Sequence, residues 1–171
     1  MTKKSAGLVL YRFKDSQLEV FLVHPGGPYW SKKDEGAWSI PKGEYEEGED
    51  PFEVAKREFK EETGFEANGD FISLSPLTQP SRKIVIAWAL EGDCDADKIK
   101  SNTFTIEWPP RSGKYAMFPE VDRAGWFSIP VAKRKLLKGQ VGFLEQLCEK
   151  VGYDPNEKNN LDKNHDGKDK P

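Results

Sequence analysis

The chain has 171 residues, with 26 Lys and Arg against 29 Asp and Glu and a formal net charge of −3. That length suits a single folded unit, and the near balance of charge argues against a generally basic nucleic-acid coat or a polyacidic solvating protein. Aromatic residues at 12%, five of them Trp, supply bulk for a core, while 32% charged residues against a usual ~25% predict a heavily charged surface.

Residues 6–13 and 18–24 are short runs rich in Leu, Val, Tyr and Phe, separated by the polar Lys14-Asp15-Ser16-Gln17, the pattern of a β-hairpin. Pro25-Gly26-Gly27-Pro28 ends the second strand, and after a polar stretch Trp38-Ser39-Ile40 resumes an extended pattern. Asp50-Pro51-Phe52-Glu53 combines an N-cap acid, a proline at the first helical position and an acid at the third that can bond back to the cap, so a helix starts there. Gly64 is suited to end it in the left-handed conformation. Residues 71–77 and 83–90 read as two further strands, the second so continuously apolar that burial on both faces is expected.

An acidic loop follows over residues 91–97, and the proline-punctuated stretch to Phe118 has no clear assignment. Gly125-Trp126-Phe127-Ser128 reads as a last strand, with helices over 130–137 and 142–151; the latter carries an apolar stripe of Phe143, Leu144, Leu147 and Val151. The folded domain is expected over residues 1–153. In 154–171 only Leu161 is strongly apolar, so this segment reads as a disordered tail. Its Asp162-x-Asn164-x-Asp166-Gly167 resembles the opening of a calcium loop but lacks the closing glutamate, which favours a solvated tail.

The apolar run at 84–90 is far short of the ~20 residues that span a bilayer, and no membrane partner is expected. The basic start at Lys3-Lys4 is interrupted by Tyr11-Arg12 and Lys14-Asp15 before an export-signal core can form, so a cytoplasmic location is expected. Cys94 and Cys148 lie far apart and away from both histidines, as ordinary free thiols do.

On the helix from Asp50 to Gly64, Phe52, Ala55, Phe59 and Thr63 share one side, while Glu58, Glu61 and Glu62 cluster on an adjoining side. Neighbouring like charges repel by ~0.2–0.5 kcal/mol per solvated pair, so compensation is expected. The plain alternative is a solvated face on which Lys56, Arg57 and Lys60 relieve the repulsion. The chemical alternative is a hard divalent cation, held by carboxylate oxygens with water and phosphate completing the shell, an arrangement that serves hydrolysis.

Gly43, five residues, Glu49, seven residues, then Arg57-Glu58-Phe59-Lys60-Glu61-Glu62-Thr63-Gly64-Phe65 fills every position of the Nudix box, G-x5-E-x7-R-E-U-x-E-E-x-G-U with U apolar. The chain therefore resembles the Nudix hydrolase family. The resemblance implies an α/β/α sandwich with a mixed, partly antiparallel sheet, and metal-dependent cleavage of a phosphoanhydride in a nucleoside diphosphate-linked substrate. It implies Mg²⁺ as cofactor, with Mn²⁺ as the alternative. By position, Glu58, Glu61 and Glu62 would bind the metals with the Gly43 carbonyl, and Glu58 and Glu61 would be catalytic. Glu49 and Arg57 would pair as structural support of the box. A further catalytic glutamate from a later loop is common in the family, and Glu120 is the candidate for it here.

Trp38-Ser39-Ile40-Pro41-Lys42-Gly43 enters the box with Pro-Lys-Gly, similar to family members acting on dinucleoside polyphosphates, capped RNA 5′ ends or diphosphoinositol phosphates. Lys42 would then neutralise an additional phosphate. Tyr29, Trp30, Trp108 and Tyr115 are candidates to stack on a base, and Arg82, Lys83, Arg111 and Lys114 to meet distal phosphates. Tyr115 and Arg82 join Lys42 as the named substrate contacts. His24 reads as a strand-end residue. The expected partner is a nucleotide or other diphosphate-containing small molecule, with nucleic acid expected only as an RNA 5′ end. The leading substrate is of the Ap4A type. The alternatives are a nucleoside triphosphate or RNA 5′-end pyrophosphohydrolase, and a non-catalytic nucleotide sensor, which the complete set of box glutamates disfavours. Residues 44–66 carry ten acids and three bases, a net −7 within a remainder of +4. Cations and a phosphate chain can therefore meet at one acidic segment.

Overall fold

The computed structural model describes residues 2–157. Strand β1 (Lys4–Lys14) and strand β2 (Gln17–Pro25) form the hairpin, registered from Tyr11↔Val20 to Lys14↔Gln17. Its two turn residues, Asp15 and Ser16, both take positive φ (51° and 68°), the conformation whose twist suits a two-residue connection. Beyond Tyr11 the strands part. Strand β3 (Lys42–Tyr45) takes over the same edge of β1, from Lys4↔Tyr45 to Gly7↔Lys42. This fork between β2 and β3 is where the site lies.

Helix α1 (Pro51–Thr63) follows, capped by Asp50, which accepts from the Phe52 N–H at 3.0 Å, and ended by Gly64 in the left-handed conformation. Glu53 pairs with Lys56 at 3.1 Å. The expected strand over 71–77 is two strands, β4 (Phe71–Ser73) and β5 (Leu77–Thr78). They are broken near Pro76, where the Gln146 side chain satisfies both the N–H and the carbonyl of Ser75. Strand β6 (Ile84–Glu91) runs parallel to β1 from Lys4↔Ile84 to Tyr11↔Glu91. Val85, Ala87 and Ala89 are fully buried on one of its faces, whereas Ile84, Ile86 and Trp88 on the other are half-buried, so burial on both faces is incomplete.

The stretch without a clear assignment contains a separate antiparallel hairpin, strand β7 (Thr103–Glu107) with strand β8 (Tyr115–Pro119). The Pro109-Pro110 pair lies in its turn, which is why proline punctuation hid the strands. Strand β9 (Val121–Ser128) pairs with β2 and begins before the expected Gly125. Helices α2 (Ile129–Lys135) and α3 (Val141–Val151) close the fold. The main sheet of the described residues is mixed and has seven strands, with order β4-β6-β1-β2-β9, β3 beside β1 and β5 beside β6. Trp38 and Ser39 make only isolated bridges, to Leu136 and Val23.

Strand alternation sorts the core into two layers. Ala6, Leu8, Leu10, Phe21 and Val23 pack against Val54, Ala55 and Phe59 of α1. Val9, Val20, Leu22, Val85 and Ala87 pack against Ala132, Phe143, Leu144 and Leu147 of α2 and α3. Each fully buried Phe or Leu of these layers contributes ~1.5–3 kcal/mol. The result is the α/β/α sandwich with a mixed sheet. Both cysteines are free, and no described helix is long and apolar enough to cross a membrane. Residues 158–171, with the calcium-loop resemblance, lie outside the described part.

Candidate active site

Strand β3 and helix α1 meet at Gly43. A Cβ at that position would lie 2.1 Å from Cδ of Glu58, so the Glu58 carboxyl rests directly on the glycine backbone, an approach closed to any side chain. The connection between β3 and α1 is held by Glu49, whose Oε1 accepts from the Glu46 N–H at 2.7 Å. Arg57 stands among three carboxylates, 3.6 Å from Glu49, 3.7 Å from Glu58 and 3.8 Å from Glu61. All three contacts are long, so one guanidinium is shared loosely by three acids.

That shared charge does not compensate the cluster. Burial pushes the Glu58 carboxyl up, reinforced by the charge of Glu61. Glu62 is pushed up to about 8, by burial first and the Glu58 charge second, against the opposing Lys42 N–H and ammonium. The Lys42 N–H donates to Glu62 Oε1 at 3.3 Å. The Lys42 ammonium is itself pushed down, chiefly by burial and then by Lys83.

Glu120, the single residue between β8 and β9, comes from far along the chain. Its N–H donates to the Asn102 carbonyl at 2.8 Å, and its carbonyl accepts from the Gly26 N–H at 2.9 Å. Asn102 in turn donates its backbone N–H to the Glu61 carbonyl at 2.8 Å. Burial and the charge of Glu61 raise the Glu120 carboxyl, and its buried Oε1 has no hydrogen-bond partner among the described residues.

At the β2/β3 fork a cavity of about 190 Å³ is lined by Lys42, Glu62 and Glu120 together with Trp30, Ile40 and Leu137. A larger, more open groove of about 670 Å³ runs along the outer side of α1, past Lys56, Arg57, Lys60, Glu61 and Lys100. The smaller cavity joins the buried acids to an apolar wall; the groove is a charged channel beside them.

The donor set suits a hard divalent cation: oxygen ligands only, a carboxyl cradled on Gly43, an unpartnered Glu120 oxygen, and acids whose mutual repulsion a cation would relieve. Among the described residues no three His, Cys, Asp or Glu side chains are already gathered closely enough to hold one ion.

The structure brings together Lys42, Gly43, Glu49, Arg57, Glu58, Glu61, Glu62 and Glu120. It does not bring in Tyr115 or Arg82. Tyr115 is 70% exposed, paired across the hairpin with Glu107, and Arg82 is an exposed turn residue between β5 and β6. Of the four candidate aromatics, only Trp30 lines the cavity; Tyr29 and Trp108 pack edge to face at 5.3 Å. Gly26 belongs to the site's frame as well, because a Cβ there would lie 2.0 Å from the Pro119 carbonyl oxygen. Its only local signal is the Pro25-Gly26-Gly27-Pro28 turn sequence.

A mixed sheet between helices, with an acidic helix pressed on a glycine strand, is an arrangement suited to metal-assisted phosphoanhydride hydrolysis. The family model described as NUDIX domain matches residues 1–147, and the chain belongs to the Nudix family. Solved structures with this fold include C. elegans Ap4A hydrolase in a binary complex, with TM-score 0.60 and 21% identity over 86% of this chain and 98% of that one. The NUDIX domain of Shewanella oneidensis NrtR, complexed with ADP ribose, has TM-score 0.61 and 18% identity over 88% and 89%. A mutT/nudix family protein from Listeria innocua has TM-score 0.58 and 16% identity over 88% and 94%. At these identities the likeness is one of fold.

Proposed function

We propose that the chain is a metal-dependent pyrophosphohydrolase acting on nucleotides that carry a phosphate chain, with dinucleoside polyphosphates of the Ap4A type as the leading substrate. The observation that carries this reading is a single cavity joining Lys42, Glu62 and Glu120 to Trp30, beside a Glu58 carboxyl seated on Gly43. An apolar wall next to buried charge suits a base linked to phosphate better than a diphosphoinositol phosphate, which is charged or hydroxylated throughout.

Glu58, Glu61 and Glu62 with the Gly43 carbonyl would hold Mg²⁺, or Mn²⁺ in its place. The chemistry the bound ion supplies is neutralisation of the pyrophosphate and activation of water. The residues do the rest. Lys42 binds a non-bridging phosphate oxygen, and Trp30 faces the base. Glu58 or Glu120, both pushed upward by burial and by the charge of Glu61, takes the proton of the water whose oxygen bonds to phosphorus. The P–O bond to the leaving phosphate breaks in line with that attack. Glu49 holds Arg57 and so the β3–α1 connection. The groove past Lys56, Lys60 and Lys100 has room for the remainder of a long substrate. Tyr115 and Arg82, which line neither the cavity nor the groove, are left without a substrate role.

The size of the cavity, which accommodates one ring system, favours a second reading, a nucleoside triphosphate or triphosphorylated RNA 5′ end. Turnover of Ap4A, nucleoside triphosphates, ADP-ribose, triphosphorylated RNA and diphosphoinositol phosphates with Mg²⁺ tests both. Ap4A is expected to be cleaved best, and Glu61→Gln to lower kcat by at least ~100-fold, as loss of a metal-site charge does. Tight binding of one compound without cleavage of any would replace the enzyme reading with a nucleotide sensor. Preference for ADP-ribose would remove the role given to Lys42, and full activity in Glu61→Gln would remove the metal assignment.

A further inference from the structure

The ring of His24, on β2, is fully buried and stands edge to face with Trp38 at 5.2 Å. Its Nδ1 lies 2.8 Å from Oδ1 of Asp122, and its Nε2 lies 2.6 Å from the Lys33 carbonyl oxygen. A carboxylate and a carbonyl both accept, so the ring bridges two acceptors on separate segments. Removing such polar groups from water costs more than burying an apolar side chain of similar size. Stability alone therefore gives little reason for a histidine here.

Each partner adjoins a residue that lines the cavity. Lys33 closes the turn that begins at Trp30, donating its N–H to the Trp30 carbonyl at 2.9 Å, and its ammonium sits over the Trp30 ring at 5.1 Å. Asp122 lies on β9 immediately after Glu120 and Val121, which both line the cavity. One ring thus bonds to the turn carrying Trp30 and to the strand carrying Glu120, without lining the cavity itself.

We propose that His24 is a positioning residue that sets the Trp30 wall and the Glu120 wall of the cavity relative to each other. The proposal rests on the reading of that cavity as the substrate pocket. Asparagine places its amide near the position of Nδ1, and glutamine near that of Nε2, so the two bonds can be removed one at a time. His24→Asn retains the bond to Asp122 and releases the Trp30 turn; KM for the best-cleaved substrate is expected to rise about tenfold, with kcat within about twofold. His24→Gln retains the bond to Lys33 and releases β9; kcat is expected to fall about tenfold, with KM within about twofold. Asp122→Asn, at a partly exposed position, weakens the same bond without disturbing the core and should follow His24→Gln.

Amide hydrogen exchange supplies a readout that needs no substrate. His24→Asn should speed exchange in residues 28–36 while leaving 119–123 as in the native protein, and Asp122→Asn should do the reverse. Kinetic and exchange changes that are alike in all variants, or a lowered Tm with unchanged kcat and KM, would reduce His24 to a core residue and overturn the proposal. If the native protein cleaves no member of the substrate panel, the pocket reading fails, and the exchange pattern still decides whether His24 links the two walls.

Discussion

Glu62 is the acid of the site whose titration is displaced furthest. Its carboxyl is pushed up to about 8 in the fold, by burial first and the Glu58 charge second, from the ordinary 4.5 that serves for the unfolded chain. Between those values the folded state holds a proton that the unfolded chain has released, so stability is greatest below the lower value and declines as pH rises toward the upper one. Thermal unfolding in chelator is expected to show Tm falling by several degrees from pH 5 to pH 8. Millimolar Mg²⁺ should flatten that slope, because a cation removes the cost of the second charge, and Glu62→Gln should reduce it to the smaller part left by Glu58 and Glu120. A Tm independent of pH in chelator would show that the acids of the cluster are already compensated. The same residue marks a boundary of what sequence reveals: the i, i+3, i+4 spacing of Glu58, Glu61 and Glu62 is readable, but their unequal burial depends on Lys42 and β3, which only the folded sheet brings alongside.

Helix α1 was legible almost to the residue because its signals are local. Asp50 and Pro51 start it, Gly64 ends it, and the box motif rides on it in register. The β7–β8 hairpin was not legible. Its strands alternate as Thr103-Phe104-Thr105-Ile106, yet Pro109 and Pro110 lie in the turn, where they read as a break. With that hairpin hidden, Tyr115 stood ahead of Trp30 as a substrate contact, since only strand pairing shows Tyr115 opposite Glu107 and largely exposed. At the contact between β3 and α1, the glycine itself can be tested. The atoms that a Gly43 Cβ would strike are the Cδ, Oε1 and Cγ of Glu58, the far end of a flexible side chain. Gly43→Ala is therefore expected to swing the carboxyl aside and leave the sheet intact, with Tm within a few degrees of the native value. Metal affinity measured by calorimetry should fall tenfold or more, about 1.4 kcal/mol. Loss of folding in this variant would show that Glu58 has no alternative position.

Across the whole molecule, the site is a junction of segments far apart in the chain: the β2 end with its glycine turn, the β3–α1 box, Ser101–Asn102, and the start of β9. The box could be read as contiguous text, and the flanking strands by their alternation; the junction could not, because its contacts span up to about a hundred residues and carry no periodicity. Gly26 shows the difference. In sequence it ends a strand, whereas in the fold its N–H donates to the Glu120 carbonyl at 2.9 Å and its missing Cβ makes room for the Pro119 carbonyl, which would otherwise lie 2.0 Å away. Here the obstructing atom is backbone, so it cannot rotate aside as the Glu58 carboxyl can. Gly26→Ala is expected to displace the start of β9, lowering stability by ~1–3 kcal/mol in chemical denaturation. It should lower kcat through Glu120 while leaving metal affinity close to native, since the box on α1 is untouched. Gly43→Ala and Gly26→Ala thus exchange their effects, one sparing the fold and weakening the metal, the other sparing the metal and weakening the fold. A Gly26→Ala protein with native stability and kcat would mean that the glycine turn and the Glu120 strand move independently.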